Sequence, residues 1–122
     1  MNAANDAFYS AFERRDFDAM ASVWEHSDRV VCTHPGWSTL TGWPSVASSF
    51  YALFDGPGVN QFLLTAQNVE VDGDVAWVTL VENLLGDHSG AAIATLNLFS
   101  RRSGRWLLVA HHSGAVVAPA AP

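Results

Sequence analysis

Val30-Val31-Cys32-Thr33-His34-Pro35-Gly36-Trp37, with Leu40-Thr41-Gly42-Trp43-Pro44 close behind, is the stretch on which the fold turns. An apolar run ends in a histidine. Pro35 and Gly36 break the strand, and two tryptophans follow within ten residues. Pro44 suits the first turn of a new helix, because proline there loses no needed hydrogen bond. One titratable group therefore stands at the mouth of something lined by aromatic rings, between a strand and a helix.

Upstream, residues 4 to 14 carry Phe8, Ala11, Phe12 and Arg15 on one helical stripe without Gly or Pro, and Asn2 or Asn5 is a candidate cap. Asp16 opens a second, short helix in which Phe17, Met20, Ala21 and Trp24 recur at amphipathic spacing. A strand is expected to begin near Arg29. Downstream, Val46, Phe50, Leu53 and Phe54 form the buried stripe of the third helix, which Asp55-Gly56-Pro57-Gly58 stops. From residue 60 the pattern changes. Strands are expected over 61–71, 75–85, 91–99 and 105–112. Asp72-Gly73, Gly86-Asp87-His88-Ser89-Gly90 and Arg101-Arg102-Ser103-Gly104 turn between them.

Helices first and an antiparallel meander after them is an α+β layout. The expected form is a cone: a curved, mainly antiparallel sheet packed against three helices from the N-terminal half. One domain spans 1–117, with 118–122 a flexible tail. The inner face of such a cone must be filled by side chains or by a ligand.

The totals narrow the function. The chain has 122 residues and a net charge of −6; its six cations are all Arg. No basic patch is large enough for nucleic acid, and an acidic surface does not suit anionic membranes. No signal peptide or membrane span is legible, so a cytoplasmic protein is expected. The single cysteine, Cys32, rules out an internal disulfide and sits in an apolar strand, where an inert buried thiol is the default.

The chain resembles the nuclear transport factor 2-like superfamily, in particular its SnoaL-like and ketosteroid-isomerase-like members. The residues that carry the resemblance are Asp16-Phe17-Asp18, His34-Pro35-Gly36, Leu40-Thr41-Gly42-Trp43 as the opening of the third helix, Asp74-Val75-Ala76-Trp77-Val78, Gly104-Arg105-Trp106 and His111-His112-Ser113-Gly114. The resemblance implies a small-molecule pocket and a homodimer. It puts His34 where isomerases carry their general base. It puts Phe8 at their oxyanion-hole tyrosine and Asn97 at their protonated aspartate. Glu82, Asn97 and Ser113 fall at the pocket arginines of the related kinase association domain.

Each candidate has a plainer reading. His34 is a proton-transfer group, or a histidine satisfying a strand end. Glu82 lies in an otherwise apolar strand. Facing inward it needs a partner, with His34 or His111 the candidates; one residue of slip turns it to solvent. His111 and His112 are adjacent on a strand, so only one lines the interior, and the resemblance favours His111 with Ser113. Asn97 meets either a ligand carbonyl or Glu82. Trp37, Trp43, Phe50, Phe54 and Trp77 would supply apolar wall or simply core, with Trp37 a candidate lid, and Phe8, Trp37, Trp43 and Phe54 are the expected apolar contacts of a substrate. His34, His111 and Glu82 would make a two-His-one-carboxylate metal set, but their spacing is no recognised motif; no metal and no cofactor are expected. Two functions stay open. One is a cofactor-free acid/base enzyme (isomerase, cyclase, dehydratase or hydrolase) on a small apolar molecule, with His34, Glu82 and His111 catalytic. The other is a non-catalytic binding or dimerisation module.

Overall fold

The computed structural model describes residues 1–57, 61–85 and 90–117. Three helices come early: α1 (Asn2–Arg14), α2 (Phe17–Val23) and α3 (Trp43–Asp55). Six strands follow the order β1 (Val31–Thr33), β2 (Leu40–Thr41), β3 (Phe62–Asp72), β4 (Val75–Leu84), β5 (Ala92–Arg102) and β6 (Arg105–Ala115). They form one open mixed sheet in the order β2-β1-β6-β5-β4-β3, antiparallel except that β1 runs parallel to β6. The α+β expectation holds. Of the expected turn at 86–90 all but Gly90, and the whole of the tail at 118–122, lie outside the described residues.

The helix ends follow local chemistry. Arg15, in the left-handed region at φ 55°, closes α1, and Asp16 caps α2 by accepting from the Ala19 amide at 3.0 Å. Gly42, at φ 88°, opens α3, with Pro44 in its first turn. The Arg15 guanidinium donates to the carbonyls of Phe54 and Gly56, tying the end of α1 to the end of α3. Glu25 accepts from Arg29 at 2.7 Å and from Ser27 at 2.6 Å, and Arg102 lies 3.4 Å away. The bond from Arg29 does most to hold the Glu25 pKa down, at about 2.

Three expectations change. Asn5 is no cap: it lies inside α1, is buried, and reaches across to β5. Trp24 falls beyond α2 and makes a single parallel bridge to Leu108, because the chain there is already extended. Leu40 and Thr41 form a short strand against β1 rather than the start of a helix.

The core lies between the helices and the inner sheet face. Phe8, Met20, Trp24, Phe50, Phe99 and Leu108 are its largest fully buried members. Phe8 meets Tyr9, Phe12 and Phe50 edge to face, an arrangement aromatic quadrupoles favour. Two irregularities aim the strands. Ala66, at φ 54°, marks a bulge in β3. In β6 the pairing passes from Phe99↔Leu108 to Leu98↔Ala110, so Val109 is an extra residue. Without it, regular alternation from Leu108 would turn His112 inward. With it, His111 and Ser113 face the helices and His112 is exposed.

Candidate functional site

The site begins at the strand-breaking turn. The Trp37 amide donates to the His34 carbonyl at 2.9 Å, with Pro35 and Gly36 between them and Gly36 at φ 82°. This is the type II form, which needs a positive φ at its third residue. The turn folds the Trp37 ring back onto His34 edge to face at 4.9 Å, and Phe50 also meets His34 edge to face at 5.0 Å. Trp37 stays 44% exposed, over a nearly buried His34. The hydroxyls of Thr33 and Thr39, 2.8 Å apart, close the base of the loop.

His34 Nε2 lies 2.9 Å from Ser49 Oγ on α3 and 3.6 Å from Cys32 Sγ. Burial disfavours the imidazolium and lowers the His34 pKa to about 4. Burial also pushes the Cys32 thiol up to about 12, which makes it an inert neighbour.

Beyond His34 runs a chain of polar groups. The Tyr9 hydroxyl donates to Glu82 Oε2 at 2.6 Å. Asn97 Nδ2 donates to Tyr9 Oη at 3.2 Å and to Asn5 Oδ1 at 3.0 Å. Asn97 Oδ1 lies 2.6 Å from His111 Nδ1, His111 Nε2 lies 2.9 Å from Ser113 Oγ, and Ser113 Oγ lies 3.2 Å from Thr95 Oγ1. Asn97 Oδ1 can only accept, so His111 carries its proton on Nδ1. Burial, then the neighbouring His34, lowers the His111 pKa to about 3. Burial raises the Glu82 carboxyl, and hydrogen bonds from Tyr9 and Thr95 pull it partly back.

A cavity of about 440 Å³ opens over these groups. His34, Glu82, His111 and Ser113 are its polar walls, and Phe12, Phe62, Leu53, Leu84, Ile93 and the Pro35-Trp37 turn its apolar ones. Among the described residues no Arg or Lys lines it. A second, shallower hollow of about 520 Å³ runs along the outside of α3 past Trp37, Leu40, Pro44 and Ser45. Among the described residues it holds no titratable group, so the chemistry belongs to the inner cavity. Among the described residues, no group of three His, Cys, Asp or Glu side chains is placed to hold a metal ion, and no helix is long and apolar enough to cross a membrane.

A family model for the SnoaL-like domain matches residues 1–118. The chain belongs to the SnoaL-like domain family. Among solved structures it is similar to a candidate dehydratase of the NTF2-like family from Streptomyces avermitilis, at 37% identity and a TM-score of 0.88, covering 96% of this chain and 94% of that one. It is also similar to a candidate calcium/calmodulin-dependent protein kinase type II association domain from Thiobacillus denitrificans, at 32% identity and a TM-score of 0.87, covering 95% and 94%. Among curated proteins it is 30% identical over 115 residues to the F-box protein SKIP8 of Arabidopsis thaliana. That match takes in 94% of this chain and 49% of the relative, so the chain spans about half the length of the curated relative it matches.

In this SnoaL-like domain five of the residues expected at the site line the inner cavity: His34, Glu82, His111, Ser113 and Trp37. Four do not. Phe8 is wholly buried, its ring 4.9 Å from His111, and acts as core beneath the site. Asn97 is also wholly buried, and its amide is taken up within the chain by Asn5, Tyr9 and His111 rather than by Glu82. Trp43 stacks on His26 at 4.3 Å, away from the cavity. Phe54 lines a separate hollow with Arg15, Phe17, Tyr51 and Asp55. The expected pairing of Glu82 with a histidine is also replaced: its partners are the hydroxyls of Tyr9 and Thr95.

Tyr9 and Ser49 escaped the sequence reading. Asn5, Phe8, Tyr9 and Phe12 stand at i, i+3, i+4 and i+7, so the polar pair Asn5 and Tyr9 inside an apolar stripe was the available signal. The isomerase resemblance puts Phe8 at the tyrosine position, whereas the phenol in this domain is Tyr9, one residue on. Ser49 stands three residues after Val46 on the buried stripe of α3, a similar signal.

Proposed function

We propose that this SnoaL-like domain is a cofactor-free acid/base enzyme acting on a small uncharged molecule, with dehydration the favoured reaction. The observation that carries the reading is a pair of titratable groups on one cavity whose environments push them in opposite directions. His34 is held as the free base, and the Glu82 carboxyl is shifted toward its acid form. Such a divergence is what distinct base and acid roles require.

In the proposed reaction His34 takes a proton from a carbon next to a carbonyl. The electron pair of that C–H bond becomes the new double bond, and the neighbouring C–O bond breaks. Glu82 delivers its proton to the departing hydroxyl, so water leaves. The proton on His34 then returns to Glu82 through solvent. Ser113 lines the same wall and is suited to meet a substrate oxygen, while the aromatic and aliphatic walls take the carbon skeleton. Dehydration is favoured over isomerisation, cyclisation or hydrolysis by the likeness to the Streptomyces avermitilis protein. A cavity with a carboxyl and no cation disfavours carboxylate or phosphate substrates.

The test is a panel of uncharged hydroxy-ketones, scored for binding by thermal shift and for loss of water by mass spectrometry. His34→Ala and Glu82→Gln should each lower conversion by about 10²–10⁴-fold while binding persists. Conversion at the native rate in both variants would sink the reading.

A second reading, a binding or assembly module, is favoured by the likeness to the Thiobacillus denitrificans association domain. In it a second copy of the chain covers the outer sheet face. That face carries Leu63 and Leu96, 57% and 42% exposed, beside Trp77 and Val81. Sedimentation should then give a dimer at micromolar concentration and a monomer for Leu96→Glu; a native monomer removes this reading.

A further inference from the structure

We propose that Ser49 is the positioning residue that sets the tautomer of His34, keeping the proton on Nε2 and leaving Nδ1 as the proton-accepting atom. The inference rests on the proposed role of His34 as base, and it deepens that role from a residue to an atom.

A serine hydroxyl has one hydrogen to donate. Ser49 sits on α3, and its hydroxyl donates that hydrogen to the Val46 carbonyl one helical turn back, at 2.7 Å. Only lone pairs are left on Ser49 Oγ to face His34 Nε2 at 2.9 Å. Two acceptors do not form a hydrogen bond, so Nε2 carries the hydrogen. A neutral imidazole has one N–H, and Nδ1 is then unprotonated.

The second neighbour agrees. Cys32 Sγ lies 3.6 Å from Nε2, where sulfur can share the same N–H as a weak acceptor. The same sulfur is 4.0 Å from Nδ1, and Nδ1 has no nitrogen or oxygen donor among the described residues. His34 lines the cavity with Nε2 anchored to a helix and Nδ1 engaged, among the described residues, by nothing stronger than the Cys32 thiol at 4.0 Å. His111 does not have this freedom, since Asn97 engages one of its nitrogens and Ser113 the other. The anchor is also well placed. Ser49 is buried, and a hydrogen bond between two helix-held and strand-held groups fixes the ring plane as well as the tautomer.

Long-range proton–nitrogen NMR on the ¹⁵N-labelled full chain at neutral pH reads the tautomer without any substrate. The expected result is the Nε2–H form for His34 in the native chain and a shift toward the Nδ1–H form in Ser49→Ala. Ser49→Thr, which keeps a hydroxyl, should restore the native form. An Nδ1–H form in the native chain overturns the inference, and that measurement needs no variant to fold. A tautomer unchanged in a folded Ser49→Ala overturns it as well. With a converted substrate in hand, Ser49→Ala should lower kcat by about tenfold or more with KM little changed, as a wrong-tautomer defect does. If the tautomer is as stated but His34→Ala converts normally, the acid/base reading fails and the positioning by Ser49 stands.

Discussion

His34 and His111 lie with ring centres 6.3 Å apart, both buried and both held as free bases. They differ in what holds them. His111 sits in the middle of a polar chain, with Asn97 on one nitrogen and Ser113 on the other, and the Phe8 ring packed beside it. His34 stands at the edge, tied to Ser49 alone by a strong acceptor and covered by the half-exposed Trp37. Burial lowers the pKa of both, so a depressed pKa alone does not mark a proton acceptor. A ring nitrogen not already engaged by a nitrogen or oxygen partner is the further requirement; among the described residues Nδ1 of His34 meets it, and neither nitrogen of His111 does.

The comparison can be broken most forcefully through packing. Phe8→Ala removes a fully buried ring and should destabilise the chain by about 3–5 kcal/mol in urea unfolding. Admitting water beside His111 should also bring the His111 pKa back toward its ordinary value more than that of His34. Equal movement of both in an NMR titration would show that they do not occupy distinct environments.

Acid should act next. The folded pKa values of both histidines lie below the unfolded value of about 6.5. The unfolded chain therefore binds protons first as pH falls. Stability is fully present above about pH 6.5 and is lost as pH drops through about 4 for His34 and about 3 for His111. The loss from His34 alone is on the order of 3 kcal/mol at full extent. Glu82 works in the opposite sense. Its pKa is raised, so its contribution is present below the unfolded carboxyl value and declines as pH rises through the folded one. In Glu82→Gln the low-pH loss should remain while the high-pH decline disappears. A Glu82→Gln stability profile parallel to native across the whole range would remove Glu82 from this account.

Asn97→Leu tests the polar chain itself. It leaves His111 Nδ1–H and Asn5 Oδ1 without their buried partner, and should cost about 2 kcal/mol. His34 should keep its tautomer, because its anchor lies on α3 and outside that chain. The smallest effect is expected at His112. It is exposed on the opposite face of β6. His112→Ala should change stability by less than about 0.5 kcal/mol and relieve slightly the repulsion that helps hold down His111. A large loss there would mean that the outer face carries a partner.

Much of this molecule is written locally. The stripe of Phe8 and Phe12, the cap at Asp16, the glycine-bearing turns and the long β-branched strands each act within a few residues, so the α+β order follows from the chain alone. His34-Pro35-Gly36-Trp37 is equally local: proline then glycine specifies the turn that folds the tryptophan over the histidine. The site's partners are not local. Tyr9 meets Glu82 across 73 residues and Asn97 meets Asn5 across 92, so their contacts depend on where α1 lands on the sheet. The parallel pairing of β1 with β6, which sets Cys32 beside His111, joins segments far apart in the chain. The choice of His111 over His112 rests on one extra residue, Val109, which inverts the alternation of the rest of β6. Sequence determined the elements and the histidine at the turn. Register, a bulge and helix docking decided which groups that histidine meets, because side-chain direction in a strand follows from pairing and not from residue type.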